Sequence, residues 1–196
     1  MSRFVDRGAV TAAYVGIGMG VTIVASFTLI IPIEWFIWIL AVPSGMLIGY
    51  YANQRSNRRL GPWSKILVNG VFAGVATGMT LAVLLLLIKA IFSYADSGYP
   101  DFNRVDKAGH PIPPNCQPGP DCTYQRYLAA GRGPDLQAAG VSDAGSFTTL
   151  YWADQFGTAG TIVFVTTLGG LGGAGLYGVF RPKAQAVAEA SSPTTS

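Results

Sequence analysis

Four apolar stretches, residues 9–31, 33–51, 66–92 and 158–180, each reach about the 20 residues that a helix needs to cross the hydrocarbon core of a bilayer. Where lipid replaces water, backbone N–H and C=O groups must be bonded within the chain, so each run is expected to be a helix. A soluble protein with four buried helices would need polar faces on them, and the first, third and fourth runs have none of useful width. Charged residues make up only 12% of the 196 residues and mean hydropathy is +0.38, whereas a soluble domain is about one quarter charged.

The net charge of +3 becomes a direction once it is divided by loop. Arg3 and Arg7 precede the first run, Arg55, Arg58, Arg59 and Lys65 separate the second from the third, and Arg181 and Lys183 follow the fourth. The long segment 94–157 holds Arg104, Lys107, Arg126 and Arg132 against seven aspartates. Positive residues favour the cytoplasmic side, so both termini and the middle loop are expected in the cytoplasm and segment 94–157 outside. Tryptophans agree: Trp35, Trp38, Trp63 and Trp152 all fall near ends of the runs, where an amphipathic ring is most stable. The first run exceeds the 7–15 apolar residues of a cleavable signal, roughly, and reads as a retained span.

The expected fold class is therefore an all-α membrane protein, four transmembrane helices in an antiparallel bundle in the cell membrane. Residues 1–94 would carry three spans, 95–155 an extracytoplasmic capping segment, 156–182 the fourth span and 183–196 a disordered tail. Pro32 and Glu34 suit a tight turn into the second helix, and Pro43-Ser44-Gly45 falls mid-span, where a kink is expected. Seven of the 12 prolines lie in the outer segment, so turns and extended chain should prevail there up to Asp121. A short helix is expected over 122–130, ended by Gly131, with Ser146 capping a helix that runs into the fourth span.

Cys116 and Cys122 are the only cysteines, and both lie in the segment expected outside. Turn residues between them can bring their Cα atoms within disulfide range, so a structural disulfide is expected. The spacing is not Cys-x-x-Cys, and a metal site would have only His110 to draw on among histidines.

The third span carries Gly70, Gly74 and Gly78 at four-residue spacing, a glycine-zipper face. With 25 glycines in the chain, an all-glycine triplet of this kind arises by chance in about 2% of such helices. Related small-residue rows are Ala12, Gly16 and Gly20 in the first span, and Gly170, Ala174 and Gly178 in the fourth, beside Gly169 and Gly173. Such faces let helices approach closely, within one bundle or between subunits.

Glu34 and Lys89 are the only charges inside the apolar runs. Both fall near the outer boundary, where Lys89 can extend to headgroups and an ion pair with Glu34 is geometrically allowed. Asn69, Thr77, Thr80, Thr166 and Thr167 are expected to bond between helices. The sequence holds no recognisable triad, phosphate loop, haem or zinc signature, so no cofactor and no enzymatic activity are expected. Lipid accounts for the Arg55–Arg59 cluster, so nucleic acid is not expected as a partner. The leading expectation is a non-catalytic accessory, assembly or stabilising subunit of a larger membrane complex, associating with other subunits or with itself. A small channel or transporter for a neutral solute, formed by oligomerisation, is the alternative, and a membrane oxidoreductase or lipid enzyme has the least support.

Overall fold

In the computed structural model the described residues are 5–30, 35–56, 61–95, 108, 110 and 116–181. Every regular element among them is helical: α1 (Arg7–Val24) with a π-helical continuation (Ala25–Ile30), α2 (Trp35–Gln54), α3 (Trp63–Tyr94), α4 (Pro120–Ala129), α5 (Gly133–Ala138) and α6 (Ala144–Phe180). Four of them, α1, α2, α3 and α6, are long and apolar enough to cross a membrane. That is compatible with a multi-pass membrane protein.

Large apolar side chains point outward on the long helices, as with Tyr14 at 72% and Phe164 at 62% exposure. Small ones point inward: Ala9, Ala12, Ala41, Ala73 and Ala174 are fully buried. Large aliphatic side chains are buried as well, with Ile37, Ile48, Ile66, Leu81 and Ile162 at 2% exposure or less, so the interior combines small residues with branched ones.

Backbone contacts divide the chain into two units, Met1–Ala82 with Thr161–Ser196, and Val83–Gly160. In the first unit, α1 begins at Asp6, whose carboxylate accepts from the N–H groups of Gly8 (2.8 Å) and Ala9 (3.2 Å). The same carboxylate accepts from the Ser56 hydroxyl just beyond α2, so one side chain caps a helix and ties two helices together. Helix α2 continues through Pro43 without interruption in its helical assignment. Near the ends of α3 and α6, Arg181 donates to the Gly61 carbonyl (2.5 Å), and its guanidinium lies 5.8 Å from the Trp63 ring centre.

The second unit contains the short helices α4 and α5, termed the cap for their place in the chain. Helices α4 and α5 end alike, at Gly131 and Gly140, whose φ angles of +77° and +78° disfavour any residue with a Cβ. Each glycine is followed by an N–H that reaches back five residues, Arg132 to Tyr127 (3.2 Å) and Val141 to Leu136 (2.9 Å), which satisfies the terminal carbonyls. Leu136, Val141 and Phe147 form the core of this cap, with Tyr124, Tyr127 and Tyr151 packed around them.

Helix α6 starts at Ala144, close to the expected cap at Ser146 and fourteen residues before the apolar run. Its first turn is closed by Asp143, which accepts from the Ser146 N–H (2.8 Å) while the Ser146 hydroxyl accepts from the Asp143 N–H (3.1 Å). Ser146 is therefore the third helical residue of a reciprocal capping box rather than the cap itself. Helix α5 also departs from expectation. Pro134 reads as a turn residue in sequence but occupies the first turn of a helix, where its missing N–H has no intrahelical partner to lose.

Candidate functional site

Two arrangements bring the singled-out residues together, one in each unit. The first is a seam where α2, α3 and α6 meet backbone to backbone. A methyl group at Gly70 would stand 2.6 Å from the Gly170 carbonyl oxygen and 2.5 Å from the Ala174 Cβ. At Gly74 it would lie 3.0 Å from the Thr166 oxygen and the Thr167 Cα, and at Gly78 it would lie 2.9 Å from the Val163 Cα. Gly170 answers from the other side, 2.5 Å from the Gly70 oxygen. All three glycines of α3 thus face α6, with no room for a side chain between them.

A second glycine face, which sequence reading did not assign, completes the seam. Gly45 and Gly49 of α2 press on the α6 backbone at Thr166 and Gly170, with the Gly170 Cα 2.8 Å from a methyl at Gly49. On α6, Gly169 and Gly173 press on the α2 backbone at Val42 and Met46. The sequence signal for it is the Gly-x-x-x-Gly of 45–49, two residues beyond Pro43.

Gly16 and Gly20 of α1 meet α3 through side chains: a methyl at Gly16 would run into the Thr77 hydroxyl, and one at Gly20 would lie 3.0 Å from the Thr80 Cγ2. A methyl group at Gly178 would run into the Trp63 ring, 3.1 Å from its Cε3 and closer still to Cζ3 and Cη2. So α3 offers glycines to α6 and threonines to α1.

The threonines correct an expectation. Thr77, Thr80, Thr166 and Thr167 donate to the carbonyls of Ala73, Ala76, Ile162 and Val163, each four residues back in its own helix. Where backbones touch, a hydroxyl reaches its own helix more readily than a partner. Asparagine does bond between helices: Asn53 donates to the Ile66 carbonyl (3.1 Å) as well as to Gly49 (3.0 Å), and Asn69 donates to Asn53 Oδ1 (3.5 Å).

Lys89 is 4% exposed, the only charged side chain buried among the described residues. Helix α3 continues to Tyr94 within the second unit, so Lys89 sits on a packed turn and not at a free helix end. Glu34 lies outside the described residues, and so does the proposed pair.

In the second unit Cys116 and Cys122 are bonded, with Cα atoms 5.4 Å apart. The bridge ties the chain before α4 to its first turn. Beside α4, the cap opens a cleft of about 310 Å³. Its wall is aromatic: Phe147 stands 5.0 Å from Tyr127 and 6.0 Å from Tyr151, centre to centre. Its rim is polar, with Arg132, Asp135, Asp154 and Gln155. Arg132 lies over the Tyr127 ring at 5.3 Å and 3.9 Å from the Asp135 carboxylate, both side chains being well exposed. Sequence reading had counted these charges only toward topology. Among the described residues no group of three His, Cys, Asp or Glu side chains is placed to hold a metal ion.

No protein-family model, curated protein or solved structure matches the chain. The reading of function therefore rests on residues and geometry.

Proposed function

We propose that this chain is a non-catalytic, multi-pass component of a cell membrane, acting as an accessory, assembly or stabilising subunit of a larger membrane complex. The observation that carries this reading is the seam. Gly49, Gly70, Gly74, Gly170 and Gly173 bring α2, α3 and α6 together with no space between their backbones, so the bundle interior is devoted to mutual helix contact. A carrier would need ionisable or hydrogen-bonding groups facing a cavity at mid-depth. Here the buried threonines are turned to their own helices.

In this reading both termini and the loop around Arg55 face the cytoplasm, and the disulfide-bonded cap faces the oxidising outer side. A large apolar surface, including Tyr14, Phe164, Leu168 and Val179, is then available to lipid and to neighbouring subunits.

Extraction from the native membrane with a mild amphipathic polymer, followed by affinity capture and mass spectrometry, tests the role. A stoichiometric membrane-protein partner is expected. Recovery of a monodisperse monomer with no partner would sink the subunit reading. Labelling of a His110→Cys variant by an impermeant maleimide in intact cells tests the topology, which fails if labelling requires permeabilisation.

A further inference from the structure

The geometry points to the cleft between α4, α5 and α6 as a binding site for the headgroup of a phospholipid carrying a primary ammonium, a phosphoethanolamine. The inference requires that α6 cross a bilayer, and it stands whether or not the chain joins a larger complex.

Depth is the first support. Asp154 lies four residues before Thr158, where the apolar run of α6 begins, which is about 6 Å along the helix axis. The headgroup layer on each side of a bilayer is roughly 5–7 Å thick, so Asp154 and Gln155 stand at headgroup level when the apolar run is in hydrocarbon. Trp152 and Phe156 flank them on the same helix, their rings 6.1 Å apart, as an interfacial aromatic pair would be.

Charge is the second. The rim offers the carboxylates of Asp135 and Asp154 and the guanidinium of Arg132. Arg132 and Asp135 are 58% and 76% exposed and 3.9 Å apart, a loose pair that a phosphate and an ammonium can replace with closer contacts. A ligand with both charges matches such a rim. A purely anionic headgroup meets two carboxylates without a cation to offer them.

Ring geometry then selects among ammonium groups. A quaternary ammonium needs open aromatic faces. Here the Tyr127 face is covered by Arg132, and Phe147 is enclosed by Tyr124, Tyr127 and Tyr151 at 5.0–6.0 Å. Cation recognition therefore falls to carboxylate and amide oxygens, which favour an ammonium with N–H donors. The size agrees, because about 310 Å³ is at the small end of ligand cavities, roughly 300–1,000 Å³.

The test is native mass spectrometry of the full chain, equilibrated with equimolar phosphatidylethanolamine, phosphatidylcholine and phosphatidylglycerol of identical acyl chains. One phosphatidylethanolamine per chain is expected, retained about tenfold over phosphatidylglycerol and several-fold over phosphatidylcholine. Asp154→Asn and Arg132→Gln should each abolish that preference with thermal unfolding unchanged, and Gln137→Ala, outside the cleft, should leave it intact. Equal retention of the three lipids overturns the inference, as does a preference that survives both charge variants. Displacement of the lipid by equimolar soluble O-phosphoethanolamine would overturn the lipid as the source of the headgroup.

Discussion

Trp152 donates its indole N–H to the Tyr94 hydroxyl at 2.8 Å, and the two rings lie nearly parallel with centres 6.0 Å apart. One residue ends α3 and the other lies in the third turn of α6. Together they fasten the two helices within the second unit. Tyr94→Phe keeps the stacking and removes the acceptor. It should lower stability by about 0.5–1.5 kcal/mol in thermal unfolding of the detergent-solubilised protein. Tyr94→Ala should cost more, and equal losses for the two variants would deny the hydrogen bond any role.

Seam glycines should respond to a methyl group according to what faces them. At Gly173 the methyl meets the Met46 carbonyl and the Tyr50 nitrogen (2.8 Å), which are backbone and can yield only by moving α2. Overpacking of about 1–3 kcal/mol outweighs the gain of up to about 1 kcal/mol in helix propensity, so Gly173→Ala should destabilise. At Gly175 nothing lies within 4 Å, and Gly175→Ala should be neutral or slightly stabilising. Melting curves for the pair check the difference, and a Gly173→Ala melt as high as the wild type would refute the close approach.

Asp143 predicts a pH response confined to the start of α6. The Ser146 backbone N–H, then the Ser146 and Ser142 hydroxyls, hold its carboxyl below the ordinary value of 3.8. A lowered folded pKa means that the cap contributes fully above that value and is lost as pH falls through the folded one. Amide resonances of residues 144–147 should shift toward coil values as pH drops below 3.8, and Asp143→Asn should remove that transition while keeping much of the cap. A transition that persists in Asp143→Asn would assign it to another group.

The disulfide closes a short loop, with the two cysteines six residues apart, so its effect should be modest and local. Cys116→Ser with Cys122→Ser should cost about 2 kcal/mol within the cap. Limited proteolysis near α4 reads this directly. Cleavage rates unchanged by the double substitution would mean that the cap holds without its bridge.

The four long helices were legible because hydropathy alone selects them, and the disulfide because Cys116 and Cys122, six positions apart, have no other thiol to choose. Gly131 was legible as a helix end because a positive φ calls for glycine. The helical lead into the fourth span was legible from Ser146, although the reciprocal capping box places the cap itself at Asp143 and Ser146 at the third helical position. Threonine partners were missed because a hydroxyl's choice between its own helix and a neighbour depends on the distance between backbones, a tertiary quantity. The cleft was invisible for a similar reason: Tyr127, Arg132, Asp135 and Asp154 come from three helices whose angles no local pattern encodes.

The seam also governs how its helices can move. Each glycine of α3 sits against a fixed point on the α6 backbone, with neighbours one helical turn away on the same row. A slight slide would drive Cα and carbonyl atoms together, whereas a shift of four residues, about 6 Å, would bring the next small residue into register. The helices are thus geared like a toothed rack, in which small displacements are resisted and any rearrangement proceeds by whole notches.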